Sequence, residues 1–158
     1  VPSALSIKAY IDQAIKERSH QQSIPFVIID NTSGKVIGST RYCSIDSKNK
    51  RLEIGYTWYS KSFQRTGVNT ECKLLLLAYA FETLGAIAVE FKTNWHNIPS
   101  RNAIERLGAK QDGVLRNHRI DEEGIIRDTV VYSIINTEWK GVKKSMEFNM
   151  QRYPSTFP

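Results

Sequence analysis

The segment Gln64-Arg65-Thr66-Gly67-Val68-Asn69-Thr70-Glu71 is central to how this chain folds, because it joins a predicted strand to a predicted buried helix. The strand covers residues 51–59, where apolar and polar side chains alternate. The helix covers residues 68–83, is apolar on most faces, and ends at Gly85. The first N–H groups of a helix lack intrahelical acceptors, and the helix dipole adds positive charge there. The junction therefore predicts a binding site for phosphate oxygens.

The loop itself contains residues suited to such a ligand. Gly67 permits tight curvature and close ligand approach, and Arg65 can add charge-assisted hydrogen bonds. Neither the dinucleotide fingerprint G-x-G-x-x-G nor the P-loop pattern G-x-x-x-x-G-K-[ST] is present. Taken alone, a glycine before a helix can also be a simple turn. The candidate phosphate-binding residues are Gln64, Arg65, Thr66, Gly67, Val68, Asn69 and Thr70.

The rest of the chain has alternating helical and strand patterns. They are a helix over residues 3–18, strands over 24–30, 35–45 and 87–91, a helix from Pro99 or Ser100 to Gly108, and strands over 113–120 and 125–135. This order predicts an α/β fold with a mixed sheet in one domain over residues 1–158. We expect the tail after about residue 145 to be loosely attached.

The strand before the junction has a glycine within it. Strict alternation would place Leu52, Ile54, Tyr56 and Trp58 on one face and Arg51, Glu53, Thr57 and Tyr59 on the other. Gly55 predicts a β-bulge or a close approach of another backbone.

Composition restricts the class of protein. The chain has 158 residues, 41% of them hydrophobic and 24% charged, with a formal net charge of +6. We expect no membrane segment, since no apolar run approaches about 20 residues, and a cytoplasmic location, since the start lacks signal-peptide features. The basic residues are scattered, which argues against nucleic acid as a partner. Cys43 and Cys72 form no metal-ligand pattern, so we expect reduced thiols and no metal site.

Two spaced motifs resemble those of the GNAT acetyltransferase superfamily. Gln64-x-x-Gly67-x-Asn69 is similar to its acetyl-CoA pyrophosphate motif, Q/R-x-x-G-x-G/A. Further on, the segment from Asn97-Ile98-Pro99-Ser100 to Leu107-Gly108-Ala109 is similar to the family's second motif. The likeness covers about residues 25–135. Residues 53–56, 62–64 and 103–109 resemble the RimJ/RimL branch, which includes ribosomal-protein N-terminal acetyltransferases.

The resemblance implies a fold, a cofactor and a reaction. The GNAT fold has a central, mostly antiparallel sheet with helices on both faces. Pantetheine inserts between two splayed strands, here residues 51–59 and 86–93, like an added strand. The cofactor is acetyl-CoA, and the acetyl group passes to a primary amine, either a protein N-terminus or a small amine, by direct attack in a ternary complex. The implied protein is a monomer or homodimer with no nucleic-acid or membrane partner. A CoA-binding module without catalysis is the alternative.

The chain departs from the family pattern in three places. Asn69 replaces the usual Gly or Ala, although Asn tolerates the left-handed conformation. Ile104 stands where many members have a Tyr that protonates the leaving thiolate, so Ser100 becomes the nearest substitute. The chain also begins at what resembles the family's second helix, so we expect the first strand and helix to be missing.

The candidate catalytic residues each have a second interpretation. Glu53 is the candidate general base, or a solvated carboxylate paired with Arg51 or Lys50. Ser100 is a thiolate proton donor, a helix N-cap, or both. Asn97 is implied to bind the pantetheine amide, or is a turn residue. Arg101 and Arg106 reach the adenosine phosphate, or lie on a solvated helix face.

Overall fold

The structure, a computed structural model, describes residues 3, 5–20 and 22–151. The described part of the chain contains four α-helices and six strands. In chain order they are α1 (Ile7–Ser19), β1 (Ser23–Ile29), β2 (Val36–Asp46), β3 (Arg51–Tyr59), α2 (Val68–Ala78), β4 (Ala88–Asn94), α3 (Ile98–Arg106), β5 (Lys110–Ile120), β6 (Ile126–Ile135) and α4 (Asn136–Met150). The predicted element order is confirmed, and α4 continues it.

The six strands form one mixed sheet in the order β1-β2-β3-β4-β6-β5. The pairs β1–β2, β2–β3, β4–β6 and β6–β5 are antiparallel, and the central pair β3–β4 is parallel. Helices α1 and α2 lie on opposite faces, because adjacent residues of β2 contact different helices. Arg41 pairs with Glu17 of α1, and Thr40 bonds to Lys73 of α2. The predicted mixed, mostly antiparallel sheet with helices on both faces is confirmed.

Strand β3 contains the bulge that Gly55 predicted. Its register with β2 shifts by one residue at this point, and Tyr56 has a φ of +52°. Beyond the bulge, Thr57 bonds to Lys73 of α2, while the Trp58 ring lies 6.4 Å from the Tyr10 ring of α1. Strict alternation was therefore wrong for the second half of the strand. Thr57 and Tyr59 face α2, as do Leu52 and Ile54.

The parallel strands β3 and β4 stay together for only three residue pairs. These pairs are Arg51↔Ala88, Leu52↔Val89 and Glu53↔Glu90. Strand β3 then continues to Tyr59 without β4, which stays paired with β6 as far as Asn94↔Thr129. A wedge opens between the two strands, so the splayed pair implied by the family resemblance is confirmed.

The main core lies between the sheet and the helices α2, α3 and α4. Helix α2 continues into a π-helical turn, Tyr79–Thr83, and the chain leaves at Gly85 with a φ of +66°. Helix α4 extends to Met150 and buries Met146, which is 1% exposed. Residues 145–150 are thus a packed helix rather than a loose tail, and residues 152–158 lie outside the described part.

Cys43 and Cys72 are free cysteines on different elements, β2 and α2. Within residues 5–20 and 22–151, every helix is too short or too polar to cross a membrane.

Candidate functional site

The loop between β3 and α2 exposes the start of the helix. It contains a short 3-10 turn, Lys61–Phe63, and Arg65 takes the left-handed conformation with a φ of +63°. Gly67 is the N-cap, with an ordinary helical φ of −66°. The first helical hydrogen bond runs from the Glu71 N–H to the Gly67 carbonyl, at 3.0 Å. The preceding N–H groups therefore lack an intrahelical acceptor, and the left-handed residue of the loop is Arg65 rather than Gly67.

Three side chains of the loop form hydrogen bonds within the protein, whereas Arg65 is exposed. Gln64 donates to the Tyr59 carbonyl at 3.1 Å, and Thr66 donates to the Phe63 carbonyl at 2.8 Å. The side-chain oxygen of Asn69 accepts a hydrogen bond from the Tyr59 hydroxyl at 3.0 Å. Asn69 lies inside α2, so its tolerance of left-handed geometry is not what the loop uses. These bonds brace the loop. The Val68 N–H donates to the Thr66 hydroxyl at 3.4 Å, whereas the N–H groups of Asn69 and Thr70 have no partner among the described residues.

A cavity of about 360 Å³ opens in the wedge between β3 and β4. It lies on the face of α1, because Glu53 and Gly55 on its wall point away from Leu52 and Ile54. The wall also includes Tyr56 and Asn97, so the structure brings the candidates Glu53 and Asn97 to one cavity. The loop of residues 64–70 follows the C-terminal end of β3, after Tyr59.

Glu53 is largely buried and ion-paired. Its carboxylate accepts hydrogen bonds from the Lys92 ammonium at 2.9 Å and from the Ser44 hydroxyl at 3.3 Å. Burial opposes the charged form of Lys92, but the hydrogen bonds and charges of Glu53 and Glu90 outweigh it and raise the pKa of Lys92. The partner expected from the sequence, Arg51 or Lys50, was wrong, because Arg51 pairs with Glu90.

The start of α3 assigns the capping role to one residue. Asn97 is the N-cap, and its side-chain oxygen accepts the Ser100 N–H at 3.1 Å. The N-cap role considered for Ser100 was therefore wrong, since Ser100 lies within the first turn. The Ser100 hydroxyl forms no hydrogen bond with any described residue and does not line the wedge cavity. Ile104 is 9% exposed and packs in the core.

Arg101 holds α3 against the sheet. It donates to the Tyr132 hydroxyl at 3.0 Å, and its guanidinium lies 4.5 Å from the centre of the Trp95 ring. The Tyr132 hydroxyl in turn donates to Glu105 at 2.8 Å. Arg101 is neither solvated nor left free for a phosphate, whereas Arg106 is exposed on the same helix. Sequence reasoning missed this network, because Tyr132 is distant along the chain.

Residues 2–110 match the family profile described as the acetyltransferase (GNAT) domain. The chain is 34% identical over 110 residues to a Bacillus subtilis (strain 168) protein named putative ribosomal N-acetyltransferase YdaF. This match covers 70% of the chain and 59% of that relative, so the chain spans less than two thirds of the relative's length.

Two solved structures are similar over nearly the whole chain. A GCN5-related N-acetyltransferase from Brucella melitensis is 29% identical, with a TM-score of 0.88, and the match covers 99% of this chain and 70% of that one. An acetyltransferase from T. thermophilus, titled putative, is 34% identical, with a TM-score of 0.83, and the match covers 95% of this chain and 77% of that one.

Proposed function

This chain belongs to the GNAT acetyltransferase family, and on that basis we propose that it transfers an acetyl group from acetyl-CoA to a primary amine. The observation that carries the proposal is the wedge, where β3 leaves β4 after three residue pairs. The acceptor is a protein N-terminus or a small amine. The name of the Bacillus subtilis relative, a putative ribosomal N-acetyltransferase, supports the RimJ/RimL-like branch and a ribosomal-protein acceptor. The cytoplasmic location stays a prediction.

The residues present fit acetyl-CoA, which members of this family use. The free N–H groups at the start of α2 suit a diphosphate, with Arg65 exposed beside them to add charge. The edge of β3 beyond Glu53 has no β4 partner and can pair with the amides of pantetheine. We assign the diphosphate to residues 64–70. The Asn97 side chain, whose oxygen caps α3, keeps its N–H groups for a pantetheine amide.

Acetyl-CoA supplies an acetyl group activated as a thioester, which the amine attacks directly in a ternary complex. Glu53 removes the proton of the acceptor ammonium, and the Lys92 ion pair orients its carboxylate towards the cavity. Ser100, whose hydroxyl is free of hydrogen bonds to described residues, donates a proton to the departing sulfur. The neighbouring Cys43 is not the nucleophile, because burial raises its thiol pKa to about 12.

Replacing Gly67 tests the cofactor site. We expect Gly67→Val to weaken CoA binding tenfold or more, because the branched side chain crowds the N–H groups of the helix start. The measurement is isothermal calorimetry with CoA. Gly113→Val is the matched control, since a Cβ at Gly113 meets nothing within 4 Å. Unchanged affinity in Gly67→Val would contradict the placement of the diphosphate.

Replacing Glu53 tests the base and separates an enzyme from a binding module. We expect wild-type protein to release thiol from acetyl-CoA with a panel of amines, and Glu53→Gln to lower kcat by about 10²–10⁴ with little change in CoA affinity. Glu90→Gln, which removes the other carboxylate partner of Lys92, is the control. A normal rate for Glu53→Gln at every pH would exclude Glu53 as base. Tight CoA binding without turnover on any amine would favour the module.

A further inference from the structure

We infer that the acceptor amine also carries an anionic group, a carboxylate or a phosphate, that binds Arg119 and Arg127 at the far wall of the wedge cavity. The inference rests on the proposed function, because it concerns the second substrate of the same site. Both arginines line the cavity that Glu53 borders.

The two arginines are direct cross-strand partners. In the β5–β6 hairpin, Arg119 is opposite Arg127. Directly opposed residues of an antiparallel pair project from the same face and lie close together, and like charges in these positions destabilise the pair. An anion between two guanidinium groups removes this repulsion and can accept paired N–H bonds from each.

Within the protein, the two arginines have few hydrogen-bond and ion-pair partners. Arg127 approaches Asp121 only through Nε, at 3.8 Å, which is too long for a hydrogen bond, and this buried Nε has no hydrogen-bond partner among the described residues. Arg119 has no carboxylate within ion-pair distance among residues 5–20 and 22–151. By contrast, Lys92 on the opposite wall has two carboxylate partners.

The two carboxylates that border the cavity, Glu53 and Asp128, each have hydrogen-bond partners within the protein. Glu53 accepts Lys92 and Ser44, and Asp128 accepts the Asn117 N–H at 2.7 Å. Glu53, where the ammonium must lose its proton, and the poorly paired Arg119 and Arg127 thus lie on different walls of the cavity. This arrangement matches an acceptor with an amine at one end and an anion at the other.

Matched acceptors test the inference. We would compare kcat/KM for γ-aminobutyrate with that for its amide. A second series uses tripeptide amides that begin with Ser, in which the second residue is Asp or phosphoserine in the anionic members and Asn in the neutral one. We expect each anionic member to exceed its neutral partner about tenfold or more, mainly through KM. The carboxylate and phosphate arms tell which anion is preferred. Arg119→Gln and Arg127→Gln should bring the ratios close to one, while Arg18→Gln, which removes an exposed arginine on α1, should leave them unchanged.

A binding measurement separates failure of the inference from failure of the proposed function. Calorimetry with N-acetyl-γ-aminobutyrate and its amide needs no turnover, and we expect only the acid to bind measurably, with the preference lost in Arg119→Gln. If only the acid binds but no amine releases thiol from acetyl-CoA, the anion site is supported and acetyl transfer is contradicted. Turnover at equal rates on neutral and anionic acceptors, unaltered by Arg119→Gln, would overturn the anion site and keep acetyl transfer.

Discussion

Two buried cations flank the bulge of β3, and the protein treats them differently. Arg41 on β2 is 2% exposed and faces α1, whereas Lys73 on α2 is 4% exposed and faces the other side of the same sheet. Arg41 has an anion and two aromatic rings around it. Lys73 has two hydroxyl groups. The comparison shows two ways in which a protein accommodates a buried basic side chain, one with an ion pair and aromatic rings and the other with neutral hydroxyl groups.

The surroundings of Arg41 compensate most of the burial of its guanidinium, although its buried Nε has no hydrogen-bond partner among the described residues. Arg41 bonds to the Glu17 carboxylate at 2.8 Å and lies 4.5 Å from the ring centres of both Tyr10 and Tyr56. Glu17 also accepts the Ser23 hydroxyl at 3.0 Å. The pair therefore ties α1 to the sheet and holds Tyr56, the bulge residue, against the wedge cavity.

Lys73 has no carboxylate partner within the described part of the chain. Its ammonium donates to Thr57 at 2.6 Å and to Thr40 at 3.1 Å. Burial lowers its pKa to about 7, so near neutral pH the side chain readily loses its proton. Through Thr57, Lys73 fixes the residue directly after the bulge from the face opposite Arg41. Both cations thus hold the same wall of the wedge.

Loss of the Arg41 pair should have the greatest consequence. We expect Arg41→Met to lower the free energy of unfolding by about 3 kcal/mol, because Glu17 loses its cation and α1 loses its anchor. Urea denaturation measures this, with Arg18→Met on the exposed face of α1 as control. If Arg41→Met lowered the free energy of unfolding no more than the control, the Arg41–Glu17 pair would contribute nothing measurable to stability. The proposed difference between Arg41 and Lys73 would then be wrong.

The pH dependence of stability tests the other half of the contrast. Between about pH 7 and 10.5 the unfolded chain binds a proton at Lys73 that the folded chain does not, so the free energy of unfolding rises with pH. This contribution reaches at most about 1.4 kcal/mol per pH unit. We expect the difference between wild type and Lys73→Met in urea denaturation to show this slope, and the difference for Arg41→Met to lack it. Parallel curves for Lys73→Met would show that the buried amine stays charged.

The smallest expected effect on stability comes from removing one of the two aromatic rings that contact Arg41. Tyr56→Leu removes a cation–π contact and should cost about 0.5–2 kcal/mol of stability. Because Tyr56 also lines the cavity, KM for the amine should rise while CoA affinity stays constant. Tyr79→Leu, at another half-exposed tyrosine, is the control for both measurements. An unchanged KM would remove Tyr56 from the acceptor site.

Several features of the site could not be predicted from local sequence. Lys73 directly precedes the apolar block of residues 74–78, and a charged residue at a buried helical position was the one available signal for it. Glu53 and Lys92 are 39 positions apart, so their pairing depends on the β3–β4 crossover. Asn97 and Ser100 both suit an N-cap, and only the exact start of α3 assigned the role to Asn97.

Local sequence was enough to define the elements, their order and the junction at residues 64–70. Side-chain periodicity, glycine positions and the unpaired N–H groups of a helix start are local properties. Which residues meet was set by the packing of the whole chain: one extra residue at the bulge moved Thr57 and Tyr59 to the other face, and hairpin pairing placed Arg119 opposite Arg127. Such contacts depend on register between distant segments, where a shift of one residue reverses every side chain.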